Sequence, residues 1–167
     1  GALDENSIAW KVALEAKKEG AIFTLSNAPV ALRLGTINEL ATLCQSVVIP
    51  ADATNTDDLD KLFDQSIAEL GGKIDFILHS IGMSPNVRKE KPYTNLNYDF
   101  YLKSLDISAL SLHKILQVAY QKDAINEYGS VVALSYIAAQ RAFPFYGDMA
   151  EAKAALESIA RNFGYHY

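Results

Sequence analysis

The 167 residues are 50% hydrophobic and 21% charged, enough for one core of ordinary size, so a single domain spanning 1–167 is expected. Fifteen basic against twenty acidic residues give a formal charge of −5, and the short basic pairs Lys17-Lys18 and Arg88-Lys89 are diluted by Glu15, Glu19 and Glu90, which argues against nucleic acid as a partner. A lone cysteine, Cys44, the lack of Cys-x-x-Cys or His-Glu-x-x-His spacing, and the lack of an apolar run near the roughly 18 residues of a membrane span argue against disulfides, a metal site and membrane insertion, and point to a cytoplasmic protein.

The chain opens on Gly1 and closes in an aromatic segment, 163–167; truncation at both ends is expected. Residues 7–20 follow an N-cap type serine, stop at Gly20 and set Ile8, Val12 and Ala16 four apart, the pattern of an amphipathic helix. Short apolar stretches at 21–25, 47–50, 74–79 and 130–135 predict buried strands. Between them, 57–70 reads as a helix with an acidic start and a Gly71-Gly72 stop, and 97–122 as a long crossover helix. Residues 83–95, with Pro85 and Pro92, read as a loop at the edge of a cleft, and 146–165 as a last helix. Alternating strand and helix predicts an α/β, Rossmann-like, doubly wound parallel sheet. Ligands of such sheets bind beyond the carboxyl ends of the strands, which directs attention to Ser26-Asn27, Asp52-Ala53, Ser80-Ile81-Gly82 and Ser135-Tyr136.

The most specific pattern is Tyr146-Gly-Asp-Met149-Ala-Glu-Ala-Lys153. Seven residues at about 100° each bring Tyr146 and Lys153 to one helix face, roughly 10 Å apart along the axis. A lysine there favours ionisation of a nearby phenol and can hold the hydroxyls of a ribose. Taken alone, the spacing arises often by chance and is better described as a buried tyrosine and a solvated lysine.

The pair resembles that of the short-chain dehydrogenase/reductase family, which carries it on the helix after its fifth strand. Here four strands are visible, so the resemblance implies that the first strand lies before Gly1 and that the C-terminal strands are also missing. Tyr-x2-Met-x3-Lys, with Tyr136 ten residues ahead of Tyr146, is similar to the enoyl-acyl-carrier-protein reductase branch, and NAPVALR, PADAT, LHSIGMSPNVRK and AAQRAFP resemble its Bacteroidetes type. Carbonyl-reducing members place a serine thirteen residues before the tyrosine, where this chain has Ala133, and His79-Ser80-Ile81-Gly82 replaces their Asn-Ala-Gly. His79 reads as structural.

The resemblance implies reduction of the trans-2 double bond of enoyl-acyl-carrier-protein thioesters in fatty-acid synthesis, with NADH preferred to NADPH because no arginine adjoins Ser26-Asn27 and only Arg33 follows nearby. It assigns catalysis to Tyr146, Tyr136 and Lys153. Tyr146 donates to the developing enolate oxygen, Lys153 holds the ribose, and Tyr136 shapes or protonates the site. The cofactor would meet Gly1, Ser7 and Ile8 at the first helix, with Asp4 and Glu5 turned away. It would also meet Ser26, Asp52, Ala53, Ser80, Ile81, Gly82 and Ile107, although a core position fits Ile107 equally well. Met83, Ser84, Tyr136 and Met149 would line the acyl pocket, core filling being the alternative for the methionines. Relatives of this type imply a homotetramer through the crossover and catalytic helices. Two rivals stand beside this reading, a carbonyl reductase of the same fold and a non-catalytic Rossmann nucleotide-binding module.

Overall fold

The computed structural model describes residues 1–167. In chain order it contains α1 (Ile8–Lys18), β1 (Thr24–Asn27), α2 (Pro29–Leu32), α3 (Ile37–Leu43), β2 (Val47–Pro50), α4 (Thr56–Leu70), β3 (Ile74–His79), α5 (Pro85–Arg88), α6 (Tyr98–Leu105), a π-helical turn (Asp106–Leu110), α7 (Ser111–Gln121), β4 (Ile125–Ala133) and α8 (Asp148–His166). Strand and helix alternate as expected, and both strand pairings are parallel. They form two separate two-stranded ladders, β1-β2 and β3-β4, where a single sheet was expected. β1 and β3 therefore each keep one ladder edge without a partner strand. Residues Gly1 and Ala2 lie between the carboxyl ends of these two strands. Asn27 Nδ2 donates to Ala2 O at 2.7 Å, and Gly1 approaches Ser80 so closely that a Cβ on it would sit 2.5 Å from Ser80 O.

Helices cover both faces of β3, as the two-residue alternation of a strand requires. Ile77 packs on Leu59 and Phe63 of α4 and Ile115 and Val118 of α7. Its neighbour Leu78 packs on the opposite cluster, built from Trp10 and Ala13 of α1, Leu25, and Ile37 and Ala41 of α3. A third cluster, Leu112, Leu116 and Leu156, joins α7 to α8.

Local chemistry sets the element ends. Asn55 caps α4 by accepting from the N–H groups of Asp57 and Asp58 at 2.8 and 3.2 Å, and those two acids sit at the positive end of the helix. Several predicted boundaries move. The first strand runs 24–27 instead of 21–25, because its ladder follows pairing with Val47 to Pro50, not local hydrophobicity. The last strand starts at Ile125, five residues early, and carries a bulge between the Ile74↔Ile125 and Phe76↔Ser130 pairs, with Tyr128 at φ 64°. The crossover helix is interrupted by the π-turn. There the Ser111 hydroxyl donates back to Ile107 O at 2.6 Å, and the Ser108 hydroxyl bonds Met83 instead of its own helix. The last helix begins at Asp148, so Tyr146 stands in the turn before it and not on its face.

Candidate active site

The loop into α1 is held by the Ser7 hydroxyl, which accepts from the N–H groups of Leu3 and Asp4 at 3.0 and 3.1 Å. The Asp4 carboxylate turns inward to Asn6 N at 2.9 Å. Ser7 makes no side-chain cap bond to α1, so the N–H groups of Ile8 and Ala9 point out of the helix start with no partner in the chain. At the end of β3, Ile81 O accepts from Lys153 Nζ at 3.0 Å, and Leu134 O, just past β4, accepts from the same atom at 2.8 Å. Two of the three ammonium protons are thereby fixed and one is left over. Lys153 is 6% exposed, and that burial lowers its pKa from the ordinary lysine value. Gly82 faces it, with space for a Cβ only at 3.5 Å from Nζ and 3.6 Å from Met149 Cε.

Tyr146 stacks on Tyr136 with ring centroids 4.4 Å apart, and Phe143 meets both rings edge-on. Burial, and next the neighbouring Tyr136, raises the Tyr146 pKa above the usual phenol value. This corrects the expectation that Lys153 makes the phenol more acidic. The lysine is engaged by the carbonyls of Ile81 and Leu134, and burial favours the neutral phenol of Tyr146.

The other predicted positions divide between the two ladders. Met83 is pinned at N and O by the Ser108 hydroxyl, at 2.9 and 3.1 Å, one residue from Ile107 on the π-turn. Ser84 is buried and its hydroxyl is engaged, donating to Asp148 Oδ1 at 2.6 Å and accepting from Val87 N at 3.1 Å. Its single proton is therefore committed to Asp148 and none is left to donate to an acyl thioester, while the N-cap of α5 uses one lone pair. Ser26 and Asp52-Ala53 sit at the ends of the other ladder, and no hydrogen bond joins them to Tyr146 or Lys153. The Asp52 carboxylate accepts from Thr54 N and Oγ1 at 2.9 and 2.8 Å, a turn that Lys114 fastens to the crossover helix by donating to Thr54 O and Asp106. His79 is 1% exposed and shares a 2.8 Å hydrogen bond with Ser111. Burial, and then the charge of Lys153, lowers its pKa to about 4. Sequence reasoning passed over Ser108 and Asn86, which hold backbone around the site, and Asp148, which holds the side chains of Ser84 and Asn86. Only Asp148 left a signal, as an acid in the first turn of a helix.

These features define an α/β protein of parallel strand pairs, with the candidate residues Tyr136, Tyr146 and Lys153 gathered past the carboxyl ends of β3 and β4. Over residues 1–167 the sequence matches the family model described as Enoyl-(Acyl carrier protein) reductase. The chain belongs to that family. It is 32% identical over 163 residues to the NADH enoyl-[acyl-carrier-protein] reductase FabI of Rickettsia bellii, covering 96% of this chain and 60% of the relative. FabI of Bacillus subtilis is also 32% identical, over 164 residues, with 96% and 62% coverage. Among solved structures, the FabI–NADH complex from Alistipes finegoldii superposes with a TM-score of 0.98 at 61% identity, over all of this chain and 59% of that one. The chain thus spans about 60% of the length of the curated relatives it matches.

Proposed function

We propose that this chain carries the cofactor-binding and catalytic residues of an NADH-dependent reductase acting on trans-2-enoyl thioesters of acyl carrier protein in fatty-acid synthesis. The observation that carries this reading is Tyr146 stacked on Tyr136 beyond the end of β4, where Leu134 O and Ile81 O together anchor the buried Lys153. Ala133, partly buried in β4, offers no hydroxyl where carbonyl reducers have serine, which weighs against that rival.

The residues fit NADH. The uncapped start of α1 offers the N–H groups of Ile8 and Ala9 to a pyrophosphate. The remaining Lys153 proton suits a ribose hydroxyl, and Gly82 puts no side chain beside that ammonium. NADH, when bound, supplies the hydride that goes to the β carbon. As charge develops on the thioester oxygen, the Tyr146 hydroxyl donates to it, and a donor aimed at developing charge is a large catalytic contribution. Lys153 holds the ribose, and its ammonium lends positive potential to the site. Tyr136, by stacking, restricts the Tyr146 ring to one orientation. Met83 and Met149 face the acyl side. A homotetramer through the crossover and catalytic helices is supported by an apolar groove of about 850 Å³ between α7 and α8, lined among others by Leu105, Tyr120, Ile159 and Phe163. The lone, buried Cys44 supports a cytoplasmic setting, and no helix is long and apolar enough to cross a membrane.

The test is oxidation of NADH by the full-length protein with crotonyl thioester and, separately, with a ketone. Turnover is expected only with the thioester, falling about a hundred-fold or more in Tyr146→Phe. Because the phenol pKa is raised, the rate should show no ionisation of Tyr146 through pH 9. Turnover of ketones alone would instead assign a carbonyl reductase, and turnover of neither a binding module.

A further inference from the structure

Asp148 is 1% exposed and takes part in none of the ion pairs. Its carboxylate is satisfied by side chains from the segment that follows β3. Ser84 Oγ donates to Oδ1 at 2.6 Å, and Asn86 Nδ2 donates to Oδ2 at 3.0 Å. Asn86, wholly buried, also donates to Asn97 O and accepts from Asn97 N, each at 3.0 Å. One carboxylate thus ties together the start of the 84–97 segment, its end at α6, and the first turn of α8. A buried carboxylate without a cation is expensive, and an apolar residue would close a helix–loop contact at less expense. Its position indicates what it is for. It adjoins Gly147, at φ 49° and ψ −139°, and that turn also holds Phe145 at φ 62°. Both are backbone conformations that ordinary L-residues adopt only under constraint. Glycine takes up the first of them freely, so the strain falls on Phe145, and between the two stands Tyr146.

We propose that Asp148 is a positioning residue: through Ser84 and Asn86 it holds the strained Phe145–Gly147 turn in register with the segment after β3, and so aims the Tyr146 hydroxyl relative to Met83 and the substrate. The assignment rests on the proposed role of Tyr146. Misplacement of a reacting group by about 1 Å is worth on the order of a hundred-fold in rate.

The full-length protein is compared with Asp148→Asn, and with Ser84→Ala as a milder removal of one donor. Both are expected to lower kcat ten- to a hundred-fold at an unchanged dissociation constant for NADH. In the Tyr146→Phe background Asp148→Asn should have little further effect, because there is no hydroxyl left to aim. An equal fall in both backgrounds, an unchanged kcat, or a loss of NADH affinity matching the loss of rate overturns the proposal. Hydrogen exchange runs in parallel. The amides of Val87 and Asn97, which Ser84 and Asn86 hold, should exchange faster in Asp148→Asn, and unchanged protection overturns the clamp whatever the enzyme reduces. A wild-type protein inert toward enoyl thioesters, together with that faster exchange in Asp148→Asn, would sink the enoyl-reductase reading and the aiming of Tyr146 with it, leaving the clamp as architecture.

Discussion

Replacing Lys153 by methionine removes the ammonium while keeping an unbranched, buried side chain of similar length. In the native protein Nζ donates to Ile81 O at 3.0 Å and to Leu134 O at 2.8 Å, which leaves one proton for a ribose hydroxyl. Hydrogen bonds to a charged group contribute about 1.5–3 kcal/mol, and about 1.4 kcal/mol is a factor of ten in affinity. The dissociation constant for NADH should therefore rise roughly ten- to a hundred-fold. Stability should change less than two broken hydrogen bonds suggest. The carbonyls of Ile81 and Leu134 lose their partner, but the variant also no longer buries a cation whose burial already lowers its pKa. Lys153→Arg should not restore binding, since a planar guanidinium cannot place one nitrogen between two carbonyls and still present a donor beside Gly82. The assay is titration with NADH followed by nicotinamide fluorescence, with a thermal melt on the same samples. A folded Lys153→Met protein binding NADH within about two-fold of the wild type, well short of the loss set by one charged hydrogen bond, would show that the third proton meets nothing on the cofactor.

Two further outcomes follow from buried contacts. His79 titrates near 6.5 when unfolded and at about 4 in the fold, so between those values the unfolded chain binds a proton that the native one does not. Stability is then full above pH 6.5 and falls as pH drops through that window, by about 2 kcal/mol from 6.5 to 5. Urea unfolding across that range should show the slope, and His79→Gln should flatten it; an equal slope in both proteins refutes the assignment. A Cβ at Gly35 would lie 2.2 Å from Leu3 O, an atom that already accepts from Thr36 N at 3.1 Å. Gly35→Ala should therefore destabilise by about 1–3 kcal/mol and weaken NADH binding by shifting the loop that Ser7 holds. An unchanged melting temperature would contradict this.

Periodicity and end signals made the helices predicted at 7–20 and 57–70 and the four parallel strands legible, because those signals are local: one face of a helix, an acidic first turn, a glycine stop, a short apolar run. The Tyr146, Met149 and Lys153 spacing, with Tyr136 ten residues ahead, carried the resemblance to the family that the chain belongs to. Strand ends, the β4 bulge and the π-turn were not legible, since pairing partners and the hydroxyls of Ser108 and Ser111 set them across the molecule. The direction of the Tyr146 pKa shift was also beyond the sequence. It depends on where the lysine charge is anchored and on how deeply the phenol is covered, and both are distances through space. Sequence by itself determined which groups are available at the strand ends. Only the tertiary structure decided which remain free to act, because a hydroxyl whose proton is already committed within its own fold, like that of Ser84, has none left to donate to a ligand.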